Sequence, residues 1–171
     1  MTGNAEPSGG KSIDVRTFWR ALGQRPIGST IVTAKSSEGP AGFLGLSASH
    51  ITADPPLMIV SIDQRTAALA AVLAARHFAV NFLPREARAL AESFGGKGDL
   101  KGAARFTADE WGELTTGAPV FKKALGVMDC MLEETIERHG ICIAIGRVVG
   151  VMIAETGAPL VHFRGGYLDM G

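Results

Sequence analysis

The last third of the chain holds two long β-rich runs, from about Ala124 to Ile136 and from about Ile141 to Ala154, with only a few residues between them. A link that short joins antiparallel strands, because a parallel return needs a crossover of a dozen or more residues. The same spacing governs most of the chain. The turn Arg25-Pro26-Ile27-Gly28 leads into the β-branched run STIVTAK. Glu38-Gly39-Pro40 marks a hairpin turn, and residues 41–51 read as the second strand. Asp54-Pro55-Pro56 ends that strand, since proline has no N–H to give a ladder. Leu57 to Ile62 is apolar on both faces, as a central strand is, and HFAVNFL (77–83) is a further strand. Gly157-Ala158-Pro159 turns the chain into LVHFRGG, and YLDM reads as a last edge strand. Only residues 62–78 offer a helical crossover. About eight strands joined in this way predict a closed antiparallel barrel with helices packed outside.

Three helices accompany the strands. SIDVRTFWRALGQ places Ile13, Phe18 and Leu22 on one face, with Ser12 or Asp14 as cap and Gly23 as the stop. TAALAAVLAAR, residues 66–76, is rich in Ala and Leu and has Thr66 at the cap. PREARALAESF starts at Pro84 and stops at Gly95-Gly96. Residues 97–120 are loop-rich, with one helical turn predicted from the capping-box spacing of Thr107 and Glu110. Residues 1–11 are Gly, Ser, Pro and polar and are expected to be a disordered tail, leaving 12–171 as one domain.

Composition narrows the function classes. A chain of 171 residues can bury roughly 70% of its unfolded surface in one core. The 17 Lys plus Arg equal the 17 Asp plus Glu, so the basic excess of a nucleic-acid binder is missing. Neutrality also lowers the charge repulsion that opposes self-association. Cys130 and Cys142 are too few for a disulfide framework and read as reduced core residues. No apolar run is long enough for a membrane span, and the first residues lack a signal-peptide core, so a cytoplasmic location is expected.

Common catalytic motifs are missing too. Gly95-Gly96-Lys97-Gly98 follows a helix, the wrong context for a phosphate loop after a strand. Cys130, His139 and Cys142 lack zinc spacing, and no Gly-x-Ser-x-Gly elbow occurs. An enzyme built on this chain therefore takes its chemistry from a bound cofactor.

Five segments in order carry a resemblance: RALGQRPIGSTIVTA; GFLGLSASHITADPPLMIVSID; RHFAVNFL; GAPVFKKALGVMDCMLEE with ERHGICIAIGRV; and PLVHFRGGYL. Over about residues 16–168 the chain resembles the flavin reductase-like family, short NAD(P)H:flavin oxidoreductases. The resemblance implies a mostly β fold, an antiparallel Greek-key split barrel that binds FMN, with peripheral helices. It implies hydride transfer from nicotinamide to flavin N5, with FMN (or FAD) as flavin and NADH or NADPH as reductant. It further implies a homodimer and electrons passed to free flavin for a separate monooxygenase component. Two other readings stay open: reduction of another acceptor, such as a ferric chelate or corrinoid cobalt, and a flavin-binding module without turnover.

The resemblance also assigns residues. Ser47, Ala48 and Ser49 match the strand along the flavin edge, where small side chains let N–H donors approach the ring. Thr66 and the following N–H groups match a phosphate site at a helix N-terminus. His139 matches a histidine near the face where nicotinamide docks, and Tyr167 matches a tyrosine packed near the flavin. Lys97 and Arg164 are candidate phosphate ligands. His50 stands where the family has a hydroxyl; it either touches the flavin or acceptor or caps the sheet edge. Leu46 and Ala68 replace the family's usual Asn and Thr, removing one polar contact to the ring and one to the phosphate. His77 and His162 read as structural strand residues, as does Asn81, which needs a polar partner.

Overall fold

The computed structural model of the protein describes residues 12–168. The expected N-terminal tail lies outside them, as do Asp169 and Met170 of the expected last strand. In chain order the elements are α1 (Val15–Leu22), β1 (Ile27–Gly28), β2 (Thr30–Ser36), β3 (Gly39–Leu44), β4 (Ser49–Ala53) and β5 (Pro56–Asp63). Then come α2 (Ala67–Ala75), β6 (His77–Phe82), α3 (Arg88–Phe94), β7 (Trp111–Glu113) and β8 (Pro119–Phe121). The chain finishes with β9 (Gly126–Arg138), β10 (Ile141–Ile153), β11 (Val161–Phe163) and β12 (Gly166–Leu168). Every pairing between named strands is antiparallel.

Seven strands form one sheet in the order β3-β2-β6-β9-β10-β5-β4, so β3 and β4 are its two edges. Only residues 45–48 separate those edges in the chain. A flat seven-stranded sheet would put its edges about 29 Å apart, at about 4.8 Å per strand. The link from Leu44 to Ser49 spans at most about 18 Å. The sheet must therefore curl. Its edges do not pair with each other, so the barrel is split rather than closed as the turn spacing alone predicted. The expected single strand over 41–51 is likewise two strands on opposite edges. Its alternation continues through the break, which is why periodicity hid it.

Both faces of the central strands are buried. One core holds Val32, Val60, Ile62, Phe78, Val80 and Ala144, with Leu69 and Val72 of α2 packed into it. The other holds the alternate residues Ile31, Ala79 and Val127 beneath Phe94, Trp111, Phe121 and Leu160. Phe94, Trp111 and Phe121 form a chain of tilted ring contacts at 5.6 and 5.5 Å. Asn81, fully buried, has the partners its burial requires. Its amide donates to the Ile31 carbonyl at 3.0 Å, and its Oδ1 accepts from the Phe121 N–H at 2.8 Å. Buried Asp129 accepts from the N–H and hydroxyl of Thr116, which pins the loop before β8. Cys130 and Cys142 are free and buried, and burial pushes the Cys130 thiol up to about 12.

Smaller departures have local causes. The first hairpin turn is at Ser37-Glu38, and Pro40 sits inside β3, tolerated because β3 is an edge strand. Residues 85–87 form a 3-10 turn, and α3 starts only at Arg88. Thr107 gives no helical turn; its carbonyl accepts from the Glu110 and Trp111 N–H groups in a tight turn that feeds β7. The expected loop over 97–120 holds β7, most of β8 and a 3-10 turn over Gly102–Arg105. Asp14, not Ser12, caps α1, and none of α1's residues is buried.

Candidate functional site

The sharp crossing between the sheet edges builds a cleft. Gly45 is buried, and its carbonyl accepts from the Thr30 hydroxyl. A Cβ there would meet Val32 at 2.6 Å, so only glycine lets the chain turn so close to β2. Ser47 then fastens the crossing to β5. Its hydroxyl donates to the Ser61 carbonyl at 3.0 Å and accepts the Ser61 N–H at 3.2 Å. Phe43, Leu44, Leu46, Ile141 and Trp19 give the cleft apolar walls, Ser61, Asp63 and Thr66 its polar end, and its volume is about 540 Å³.

At that end Thr66 is the N-cap of α2, but its hydroxyl makes no capping bond. The residues present fit a flavin mononucleotide on this observation: Thr66, at the N-terminus of a nine-residue helix and with no capping bond from its hydroxyl, lines a cleft with apolar walls. Asp63 lies beside them and is neutralised by Arg65, whose guanidinium bonds it at 3.0 and 2.7 Å and holds its carboxyl at about 2.

Two hairpin tips adjoin this region: Ile141, just after one, lines the cleft, and Gly165 of the other lines a neighbouring cavity. His139 (φ 47°) and Gly140 (φ 79°) form the two-residue turn between β9 and β10. Arg164 (φ 49°) and Gly165 (φ 82°) form the one between β11 and β12. Both are left-handed throughout, as such turns require, and each puts a non-glycine residue at the first position. The Gly140 carbonyl accepts the Gln64 N–H at 3.0 Å, which holds the His139 tip beside the segment entering α2. The Arg164 N–H donates to the Gly23 carbonyl at 3.1 Å, which fastens the other tip to the end of α1.

The expected site residues divide accordingly. Ser47 and Thr66 line the main cleft. Ala48 packs against the inner core, and Ser49 and His50 are exposed on edge strand β4. Lys97 is exposed two residues beyond Gly95, which lines the cleft. His139 stands exposed at its hairpin tip. Arg164 lies in an adjoining cleft beside α1. Tyr167 is half-buried, with the Arg88 guanidinium 5.5 Å from its ring centroid, and lines none of these clefts; burial raises its phenol. Sequence reading missed Trp19, whose indole borders three adjoining cavities, and His162, which lines the one between Leu46 and Gly165. No motif marks either; the exposed ring on an amphipathic helix was the available signal. Among the described residues no group of His, Cys, Asp and Glu could hold a metal, and no helix is long and apolar enough to cross a membrane.

A split antiparallel barrel whose edges bracket an apolar cleft, with a helix N-terminus at its polar end, defines a class of flavin-binding folds. The model of the flavin reductase like domain matches residues 22–171, and the chain belongs to that family. It is 30% identical over 157 residues to the reductase subunit HsaB of a flavin-dependent monooxygenase from Rhodococcus jostii, covering 92% of this chain and 78% of the relative. It is 31% identical to the FMN reductase (NADH) RutF of Agrobacterium fabrum, covering 92% and 87%. The solved structure of the flavin reductase PheA2 superposes with a TM-score of 0.81 at 26% identity, covering 93% of this chain and 99% of that one.

Proposed function

We propose that the protein is an NADH-dependent flavin reductase that passes its electrons, as free reduced flavin, to a separate oxygenase component. The observation that carries this reading is the cleft between the sheet edges, with the unengaged Thr66 hydroxyl at its polar end. The names of the HsaB and RutF relatives supply the reductant and the kind of partner. When bound there, FMN supplies the hydride acceptor.

The chain's own residues do the rest. Thr66 and the first N–H groups of α2 hold the phosphate, with Lys97 as a nearby cation from the loop after α3. The backbone over Leu46 to Ser49 is pinned to β5 through Ser47 and lies along the ring edge, where its N–H groups donate to developing charge. His50 flanks that edge on β4. Leu44, Leu46 and Ile141 exclude water from the reacting face. His139 orients the nicotinamide from its hairpin tip, which the bond from the Gln64 N–H to the Gly140 carbonyl holds beside the segment entering α2. Tyr167 acts only through Arg88 and β11, as a packing residue. Such transfer depends on alignment more than on acid–base help.

We also propose that residues 12–171 form one domain and that two copies pair. The outer face of β5 and β10 carries Leu57, Ile59, Ile143 and Ile145, all half-buried, a run of apolar side chains suited to a second copy. Two buried, free thiols suit a cytoplasmic location.

The test is an anaerobic titration of protein and FMN with NADH, followed by flavin absorbance. Stoichiometric bleaching supports the reductase. Flavin that binds yet stays oxidised with NADH and NADPH contradicts it and leaves a binding module.

A further inference from the structure

The clefts beside α1 hold more positive charge than flavin needs. Arg16 and Arg20 lie one turn apart on α1, so they share a face, and with Arg164 they surround a cavity of about 520 Å³. Arg25 lines the adjoining cavity of about 350 Å³, which opens towards Leu46 and Ser47. Among the described residues, none that lines either cavity is acidic. Among the described residues, Arg16, Arg20 and Arg25 have no hydrogen bond or ion pair from their guanidinium groups. Asp14, the acid on this helix, is engaged by the Thr17 N–H and hydroxyl at 3.0 and 2.7 Å.

Arg164 is held in place by a neutral partner. Its Nε and Nη2 donate to Gln24 Oε1 at 3.0 and 2.6 Å, and Gln24 Nε2 donates in turn to the Arg20 carbonyl at 3.2 Å. The bonds orient the guanidinium without cancelling its charge. Trp19 stands between this cavity and the flavin cleft, 62% exposed, with the Phe18 ring in a T-shaped contact at 5.4 Å. Converging, uncompensated guanidinium groups beside an exposed indole suit a diphosphate attached to an aromatic base.

We infer that the arginine cleft binds the adenosine diphosphate half of the nicotinamide dinucleotide. Arg16, Arg20 and Arg164 take the diphosphate, and Trp19 takes the adenine. This inference rests on the reductase reading, which puts the flavin phosphate at Thr66. The second nucleotide then enters from the α1 end, with its nicotinamide towards the ring and its adenylate over Trp19.

The test uses the full chain and the Arg16→Ala/Arg20→Ala double variant, whose lost side chains make no hydrogen bond or ion pair among the described residues. ADP-ribose is titrated calorimetrically at two salt concentrations, and KM is compared for NADH and for reduced nicotinamide mononucleotide, which lacks the adenylate. The wild type is expected to bind ADP-ribose more weakly at high salt. The variant is expected to lose about tenfold in that affinity, about 1.4 kcal/mol, and to lose its preference for NADH over the mononucleotide. Equal ADP-ribose binding in both proteins would overturn the inference. So would a variant that loses FAD relative to FMN but keeps its preference for NADH, since the adenylate would then belong to the flavin. A protein that binds ADP-ribose through these arginines yet never oxidises NADH with any flavin would support the anion site and sink the reductase reading alone.

Discussion

Thr66 is the N-cap of α2 with a hydroxyl that makes no capping bond, so its removal costs the fold little and, on the proposed reading, the flavin phosphate one partner. Thr66→Ala is expected to leave the thermal midpoint within about 2 °C of wild type, since no folded-state bond is lost. FMN affinity is expected to fall about tenfold, the loss of one hydrogen bond to a charged group. Riboflavin, without phosphate, should bind both proteins alike, and fluorescence titration of the two flavins reads the difference. His139 permits a similar separation. Asn tolerates the left-handed turn at φ 47°, so His139→Asn should fold as wild type by circular dichroism. Its KM for NADH should rise severalfold if the imidazole orients nicotinamide; an unchanged KM would remove that role.

At the scale of elements, the long hairpin of β9 and β10 organises both ends of the barrel. A register shift falls between Ile145 and Gly146, where the Phe78 ring lies over the backbone. A Cβ on Gly146 would meet that ring at 2.6 Å and the Cys130 side chain at 2.9 Å. Gly146→Ala is therefore expected to destabilise by about 1–3 kcal/mol, the cost of overpacking a core. Thermal unfolding should show a midpoint several degrees lower, and an unchanged midpoint would mean the ring has room to move. This hairpin was plain in the sequence, because two long strand-like runs with a short link have one economical arrangement. The break over 45–48 was not. Leu44, Leu46 and Ala48 alternate with Gly45, Ser47 and Ser49 straight through it, and only the curl of the whole sheet assigns the two halves to opposite edges. Thr66 could be placed at a helix start by residue type, but whether its hydroxyl capped the helix depended on geometry. Arg16, Arg20 and Arg164 escaped notice as a group because the first two are 144 or more residues from the third and no motif spans such a distance.

For the whole molecule, net charge is zero, with Arg16, Arg20 and Arg164 gathered beside α1 and Ile59, Ile143 and Ile145 on one face of β5 and β10. Pairing through the isoleucine face predicts a mass in solution of twice the chain. Ile143→Asp should shift sedimentation to the monomer, because it would bury an unpaired charge at the contact; a variant that stays dimeric would place the interface elsewhere. The alternating burial of β10, with Cys142 and Ala144 inward and Ile143 and Ile145 outward, makes that substitution tolerable to the fold itself. The central claim is that the cleft between the sheet edges holds the flavin. The structure of the protein with FMN tests it most directly. The account predicts the phosphate against the Thr66 hydroxyl and the first N–H groups of α2, with the ring along residues 46–49. A phosphate seated instead among Arg16, Arg20 and Arg164 would contradict it, and would reverse the direction in which both nucleotides lie.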